Sequence, residues 1–205
     1  MAATRLNQLL TESGHPPLSP DMVERFADYL TLLQKWNAKT NLTAIRDTDG
    51  ILRRHFLESI LCARALPEGI ATLLDFGSGA GFPGLPIAII RPELTVTLAE
   101  SQNKKAAFLR EAVRTLGLAT KVHSGRAELL DTRFDCVTLR AVDKMDQALP
   151  AALALTNRWL AILTTREESP TLQSLLPESA AIQWHTHGPL PPATNGILLM
   201  GEKQA

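Results

Sequence analysis

The chain has 205 residues, 45% of them hydrophobic and 20% charged, which suits one globular domain with a small appendage and enough apolar mass for a sizeable core. Its 21 Lys and Arg balance 21 Asp and Glu, so no global field draws it onto nucleic acid or a membrane, and any nucleic-acid binding must rest on local basic clusters. No charged-then-apolar leader is visible and no apolar run is long enough to span a bilayer, which makes the cytoplasm the expected location.

The first third reads as helical. Leu6, Leu9 and Leu10 form a short apolar face that stops at Gly14. In "SPDMVERFADYLTLLQKWN", Ser19 is placed to N-cap a helix with Pro20 at its first position, and Val23, Phe26, Ala27, Leu30 and Leu33 recur at helical spacing. A third helical run, "ILRRHFLESILCARAL", presents Leu52, Phe56, Ile60 and Ala63 and ends at Pro67. From Ala71 the rhythm changes to short strands alternating with helices. Strand "ATLLDF" is followed by "PGLPIAII", strand "LTVTLAE" by "KKAAFLREAVRTLG", and "KVHS" by a short turn of helix. Then come "FDCVTLR", a helix near Met145 to Leu155, and "WLAILT". This alternation predicts an α/β fold, a mostly parallel sheet covered by helices. The tail, "AIQWHTHGPLPPATNGILLMGEK", shows two strand-like runs with no helix between them, so an antiparallel pair should close the sheet. Cys62 and Cys136 are far apart, lie in apolar patterns and belong to no CxxC or Cys/His cluster. They are expected in the core, with no metal site.

One stretch, "LLDFGSGAGFPGLPIAI", stands out. Four glycines, Gly77, Gly79, Gly81 and Gly84, follow a strand that ends near Asp75. That is the carboxyl end of the first strand, where doubly wound sheets bind ligands, and glycines there remove Cβ atoms from a ligand's path. A P-loop is excluded, because no Gly-Lys-Ser/Thr follows. Gly79, Gly81 and Gly84 do satisfy G-x-G-x-x-G, and Glu100 ends the next strand, which leaves an NAD(P)-linked reductase open. Three features turn the reading toward S-adenosylmethionine, which has no phosphate to cradle. Asp75 precedes the first glycine, the run Gly77-x-Gly79-x-Gly81 starts one step early, and Pro83 stands where a pyrophosphate would want an N–H. In this reading Asp75 faces a cation and Glu100 accepts from ribose hydroxyls.

The blocks "LLDFGSGAGFPGLPIAIIRPE", "LQKWNAKTNLTAIRD", "RRHFLESI", "KKAAFLREA" and "FDCVTLRAV" together resemble the RsmG (GidB) family of bacterial small-subunit rRNA guanine-N7 methyltransferases. The likeness is good from Leu32 to Leu149. It implies a Rossmann-like class I S-adenosylmethionine-dependent methyltransferase. Such a fold has a mostly parallel seven-stranded sheet with a terminal antiparallel hairpin (68–205) and a helical N-terminal cap (1–67). It also implies methylation of N7 of one guanine in 16S rRNA, on the RNA or the small ribosomal subunit, by a chain expected to be monomeric. By resemblance the cofactor positions are Gly77 at the methionine end, Phe82 on the loop, Glu100 at the ribose and the pair Ala127 and Glu128 beside the adenine. Arg140 in "LRAV" matches the arginine ending the fourth strand.

N7 of guanine has an exposed lone pair and no proton, so its methylation needs placement and exclusion of water rather than a general base. Arg140 is therefore expected to position base or cofactor, and His55 to be a structural hydrogen bonder. A cysteine nucleophile for pyrimidine C5 chemistry is not in place, since Cys136 lies within a strand. The Asn/Asp-Pro-Pro-Tyr/Phe slot of amino-group methyltransferases reads "LRAV". Basic residues cluster from Lys104 to Arg126, where six cations meet only Glu111, and in the cap. RNA contacts are expected from Arg46, Arg53, Arg54, His55, Lys104, Lys105 and Arg126. The chain departs from the family at Glu58, at Leu139, in "LTTREE" after the fifth strand and in the tail, which touches the RNA rim more than the cofactor pocket. Besides this reading stand a methyltransferase of the same fold acting on another RNA, a protein or a small molecule, and an RNA-binding module without turnover.

Overall fold

The computed structural model describes residues 2–191 and 194–204. Among them seven strands form one sheet: β1 (Thr72–Phe76), β2 (Thr95–Glu100), β3 (Lys121–Ser124), β4 (Phe134–Arg140), β5 (Thr156–Thr165), β6 (Ile182–His187) and β7 (Gly196–Lys203). The order is β3-β2-β1-β4-β5-β7-β6. The first five strands run parallel, and β7 lies antiparallel between β5 and β6. The expected parallel sheet and closing antiparallel pair are both present. The order reverses between β1 and β4, and the carboxyl ends of those strands open on one crevice, as in other open α/β sheets.

Eight α-helices among the described residues flank the strands: α1 (Ala2–Glu12), α2 (Pro20–Thr40), α3 (Thr48–Ile51), α4 (Glu58–Ala65), α5 (Gly84–Ile90), α6 (Asn103–Thr115), α7 (Met145–Ala154) and α8 (Ser169–Ser174). Ser19 caps α2, its side chain accepting from the Met22 N–H at 3.4 Å, and Asn41 ends that helix in the left-handed region at φ 48°. The α2 stripe buries Phe26, Leu30 and Leu33 as the periodicity indicates, and also Tyr29. The third helical run is not one α-helix. Between α3 and α4, Leu52–Leu57 form a π-helical turn. This wider turn leaves Arg53 and Arg54 outward and directs His55 and Glu58 toward the end of β4. Helix α8 lies in a stretch that shows no clear helical periodicity; its signal is Pro170 in its first turn.

The sheet divides two cores. On one face Leu73, Val96, Leu98 and Cys136 pack with Leu6, Leu9, Phe26, Phe56 and Ile60 of the N-terminal helices and with Phe108. The other face joins Leu74, Phe76, Val137, Leu139 and Ile162 to Leu149 of α7 and Leu172 of α8. Alternation along the strands produces this division. A fully buried Phe or Leu is worth about 1.5–3 kcal/mol. The cap and the sheet therefore share one core rather than meeting at a polar interface. Both cysteines are buried and free, as expected. Among the described residues no helix is long and apolar enough to cross a membrane, and no group of three His, Cys, Asp or Glu is arranged to hold a metal.

Candidate active site

The glycine loop leaves β1 and turns back into α5. Gly77 and Gly79 hold positive φ angles of 72° and 56°. A Cβ on Gly79 would find nothing nearer than the Gly77 carbonyl oxygen at 3.9 Å, so its missing side chain keeps the crevice open. One on Gly77 would come within 3.3 Å of Val142 Cγ2, on the turn after β4. Glu100, at the end of β2, is only 6% exposed. Its Oε2 accepts from the Gly79 N–H at 2.9 Å and its Oε1 from the Gln102 N–H at 2.7 Å. Each oxygen keeps a second lone pair for a ligand hydroxyl. The carboxylate thus fixes the loop and faces the crevice at once.

A cleft of about 370 Å³ opens here. Of the candidate cofactor residues, Gly77, Gly79, Phe82, Glu100, Ala127, Glu128 and Arg140 line it. So do His55, Lys105 and Arg126 from the RNA set. Arg46, Arg53, Arg54 and Lys104 lie outside its wall. Arg53 Nε pairs with Asp49 at 2.6 Å, Arg54 with Glu58 at 3.1 Å, and Arg126 with Glu128 at 2.9 Å, while Arg46 donates to Asn41 Oδ1 at 2.7 Å. The pairs at Arg53 and Arg126 are exposed and therefore weak, so phosphates can compete for those two cations, whereas Arg54 is held by the buried Glu58.

Two expected cofactor residues lie elsewhere. Asp75 is fully buried, because its position in β1 turns it to the same side as Leu73, beneath α5. Its Oδ2 accepts from the Gly84 N–H at 3.2 Å and its Oδ1 from the Thr138 hydroxyl at 2.8 Å. The carboxyl therefore caps the start of α5 instead of meeting a cation. Leu85 N–H is likewise spent on the Gly81 carbonyl at 2.8 Å. With Pro83 beside them, these contacts leave little at this helix start for a pyrophosphate, which weakens the dinucleotide reading. Gly81 is the second correction. Its φ is 91°, and an added Cβ would strike Leu85 Cδ1 at 2.4 Å and Tyr29 Oη at 2.9 Å. Gly81 serves packing against the cap, not a ligand.

Burial raises the Asp75 carboxyl to about 6, against hydrogen bonds from Thr138, Ser78 and Gly84 that pull it down. A carboxyl raised by folding stabilises the fold below its unfolded value and loses that stability as pH rises through the folded value. Stability is therefore expected to fall by about 2 kcal/mol between about pH 4 and pH 8 on this account. Asp75→Asn keeps an acceptor for Gly84 and carries no charge, so the pH dependence should flatten in chemical denaturation. An unchanged slope in that variant would contradict the assignment.

The opposite wall of the cleft forms where the cap meets the loop and the end of β4. Phe82 stacks on His55 at 4.7 Å and on Tyr29 at 5.2 Å between ring centroids. Arg140 Nη1 donates to His55 Nδ1 at 2.9 Å, and Nη2 donates to Glu58 Oε2 at 2.7 Å and to the Arg54 carbonyl. The two oxygens of Glu58 thus reach both Arg54 and Arg140. Arg140 ties the end of β4 to the π-helical turn. Burial and the Arg140 charge lower His55 to about 3, so its imidazole is neutral. Thr43 and Leu42, absent from the sequence-based set, also line the cleft. Thr43 is held by Asn37, which accepts from the Thr43 N–H at 2.9 Å and donates to its carbonyl at 3.0 Å. The only sequence sign of this was "NLT" inside a block carrying the resemblance.

Residues 22–182 match the model of the GidB family, described as rRNA small subunit methyltransferase G. A ribosomal RNA small subunit methyltransferase G of Roseiflexus sp. (strain RS-1) is 47% identical over 135 residues, 62% of this chain and 58% of that protein. One of the same name from Halorhodospira halophila (strain DSM 244 / SL1) is 43% identical over 154 residues, 74% of this chain and 70% of that protein. The chain thus spans less than two thirds of the Roseiflexus relative's length. Among solved structures, a methyltransferase from Pyrococcus furiosus superposes with a TM-score of 0.62 at 13% identity, covering 89% of this chain and 99% of its own. A SAM dependent methyltransferase from Aquifex aeolicus gives 0.58 at 18% identity, covering 76% and 93%. At such identities the likeness concerns the fold.

Proposed function

The chain belongs to the rRNA small subunit methyltransferase G family, and on that footing we propose that it is an S-adenosylmethionine-dependent enzyme that methylates N7 of one guanine in 16S rRNA. The observation that carries this reading is the division of the cleft. One end is a glycine-opened crevice with the Glu100 carboxylate at its floor, and the other is an aromatic and cationic wall where His55 of the cap meets Phe82 of the loop and Arg140 of β4. The crevice suits the donor on the chemistry of its lining. Gly77 and Gly79 leave room beside the backbone, Glu100 offers lone pairs to a ribose diol, and Ala127 and Glu128 flank the place for an adenine. When bound, the donor supplies an electrophilic methyl group on sulfonium.

The remaining work is done by the chain's own residues. His55 and Arg140, backed by the buried Phe82, form a wall against which a purine can lie. His55 is neutral and both of its ring nitrogens are engaged, so it fixes the wall and is not free to take a proton. That suits N7, which has no proton to lose. Lys105, Arg126 and Lys144 at the cleft and Arg46, Arg53, Arg54 and Lys104 around it are placed to receive phosphates of the RNA.

Two measurements test this. Titration calorimetry should show binding of S-adenosylmethionine and none of NADH. Deleting the gene should abolish borohydride/aniline cleavage at one 7-methylguanosine of 16S rRNA, and complementation should restore it. Persistence of that cleavage in the deletion strain would refute the substrate.

A further inference from the structure

The hydroxyl of Thr43 has its accepting capacity filled and its proton unassigned. An arginine side chain only donates, so the contact from Arg140 Nη1 requires His55 Nδ1 to accept. The neutral imidazole then carries its proton on Nε2, which donates to Thr43 Oγ1 at 2.7 Å. Oγ1 also accepts from the Ile45 N–H at 3.2 Å. Both lone pairs are used, and among the described residues no acceptor takes the Thr43 O–H. Thr43 is half-buried, lines the cleft, and is held in place by the buried Asn37. The neighbouring cation is committed elsewhere, since Arg140 spends Nη1 and Nη2 on His55, Arg54 and Glu58. Lys105, Arg126 and Lys144 also line the cleft.

We infer that the Thr43 hydroxyl donates to O6 of the target guanine and so selects guanine over adenine. On the edge that carries N7, guanine presents O6 as a second acceptor, whereas adenine presents the N6 amine, a donor. A lone O–H beside His55 donates to the first and meets the second donor to donor. The hydrogen-bond chain from Arg140 through His55 fixes the polarity of that hydroxyl, so the preference is built into the tautomer. This inference rests on the guanine-N7 reading above and adds the residue that reads the base.

The test compares wild type, Thr43→Val and Thr43→Ser on small subunits whose 16S rRNA carries guanine or 2-aminopurine at the target. 2-Aminopurine keeps N7 but has hydrogen in place of O6. Wild type and Thr43→Ser should each lose about tenfold in kcat/KM on the 2-aminopurine substrate. Thr43→Val should be about tenfold slower than wild type on guanine and show no further loss on 2-aminopurine. Its affinity for S-adenosylmethionine should be unchanged. A purely structural role for Thr43 would instead make the two losses multiply, and that result, or full wild-type activity on 2-aminopurine, would overturn the inference. If wild type transfers no methyl to guanine-bearing subunits, the functional reading falls and this inference with it; if wild type is active and the losses multiply, only Thr43 falls.

Discussion

Replacing Arg140 with alanine is expected to slow methyl transfer about 100-fold while changing the dissociation constant for S-adenosylmethionine by less than about threefold. The guanidinium makes its contacts to the cap: Glu58 at 2.7 Å, His55 at 2.9 Å and the Arg54 carbonyl. Its side chain is 14% exposed and that of Glu58 11%, so the pair is well removed from water. Burial already raises the Glu58 pKa despite both arginines, and losing Arg140 would leave the carboxylate with Arg54 alone. Removing one partner of a buried pair costs about 3 kcal/mol or more, part of which Arg54 would offset here. The π-helical turn and His55 would then lose their register against β4, and the wall that places the purine would shift. On the proposed function, Arg140 thus acts as a positioning residue. Lysine should not rescue the rate, because one ammonium cannot span three partners fanned around a planar group. Measured at a temperature where circular dichroism shows the variant folded, an unchanged kcat would contradict this role. A large loss of cofactor affinity would instead return Arg140 to the cofactor pocket.

Gly81→Ala should destabilise the fold by about 4 kcal/mol, more than any change at a cleft-lining glycine. Two terms add. A left-handed φ of 91° is unfavourable for alanine, and the new methyl would sit 2.4 Å from Leu85 Cδ1 and 2.9 Å from Tyr29 Oη. Leu85 and Tyr29 are fully buried, so neither has room to withdraw. Tyr29 donates to the Ala80 carbonyl at 2.6 Å, a bond that anchors α2 over the loop and that the methyl would push aside. Gly79→Ala is the contrast. Its Cβ would enter the open crevice, so it should lower cofactor affinity with a smaller effect on stability. Chemical denaturation and calorimetry on the two variants separate these outcomes. Equal stability losses, or a Gly81 variant as stable as wild type, would contradict the division of labour within the loop.

That division was not legible from the letters alone. The strand-glycine-helix pattern marks the crevice, and Glu100 at the end of the next strand completes its floor, because both rest on local rules of α/β sheets. A side chain's face, however, depends on strand register. Asp75 reads as a strand-end acid facing a cation in the crevice, but the pleat turns it inward. Gly81 reads as part of a ligand loop, but its constraint comes from Leu85 and from Tyr29, the latter more than fifty residues away. The third apolar run has helical periodicity throughout, and nothing in its composition announces the π-helical turn that sends Glu58 and His55 toward Arg140. Tertiary contact with the end of β4 gives that turn its partners. Thr43 was hidden for a related reason: its significance lies in a hydrogen-bond chain through residues 37, 55 and 140, which no spacing reveals.

The most direct test incubates the purified chain with S-adenosylmethionine labelled in its methyl group and with small ribosomal subunits from a strain lacking the gene, then digests the 16S rRNA and identifies the labelled nucleoside by mass spectrometry. If the crevice holds the donor and the cap wall presents a guanine, the label appears as 7-methylguanosine from one site in the RNA. Label in any other nucleoside, or none despite binding of the donor, would contradict it.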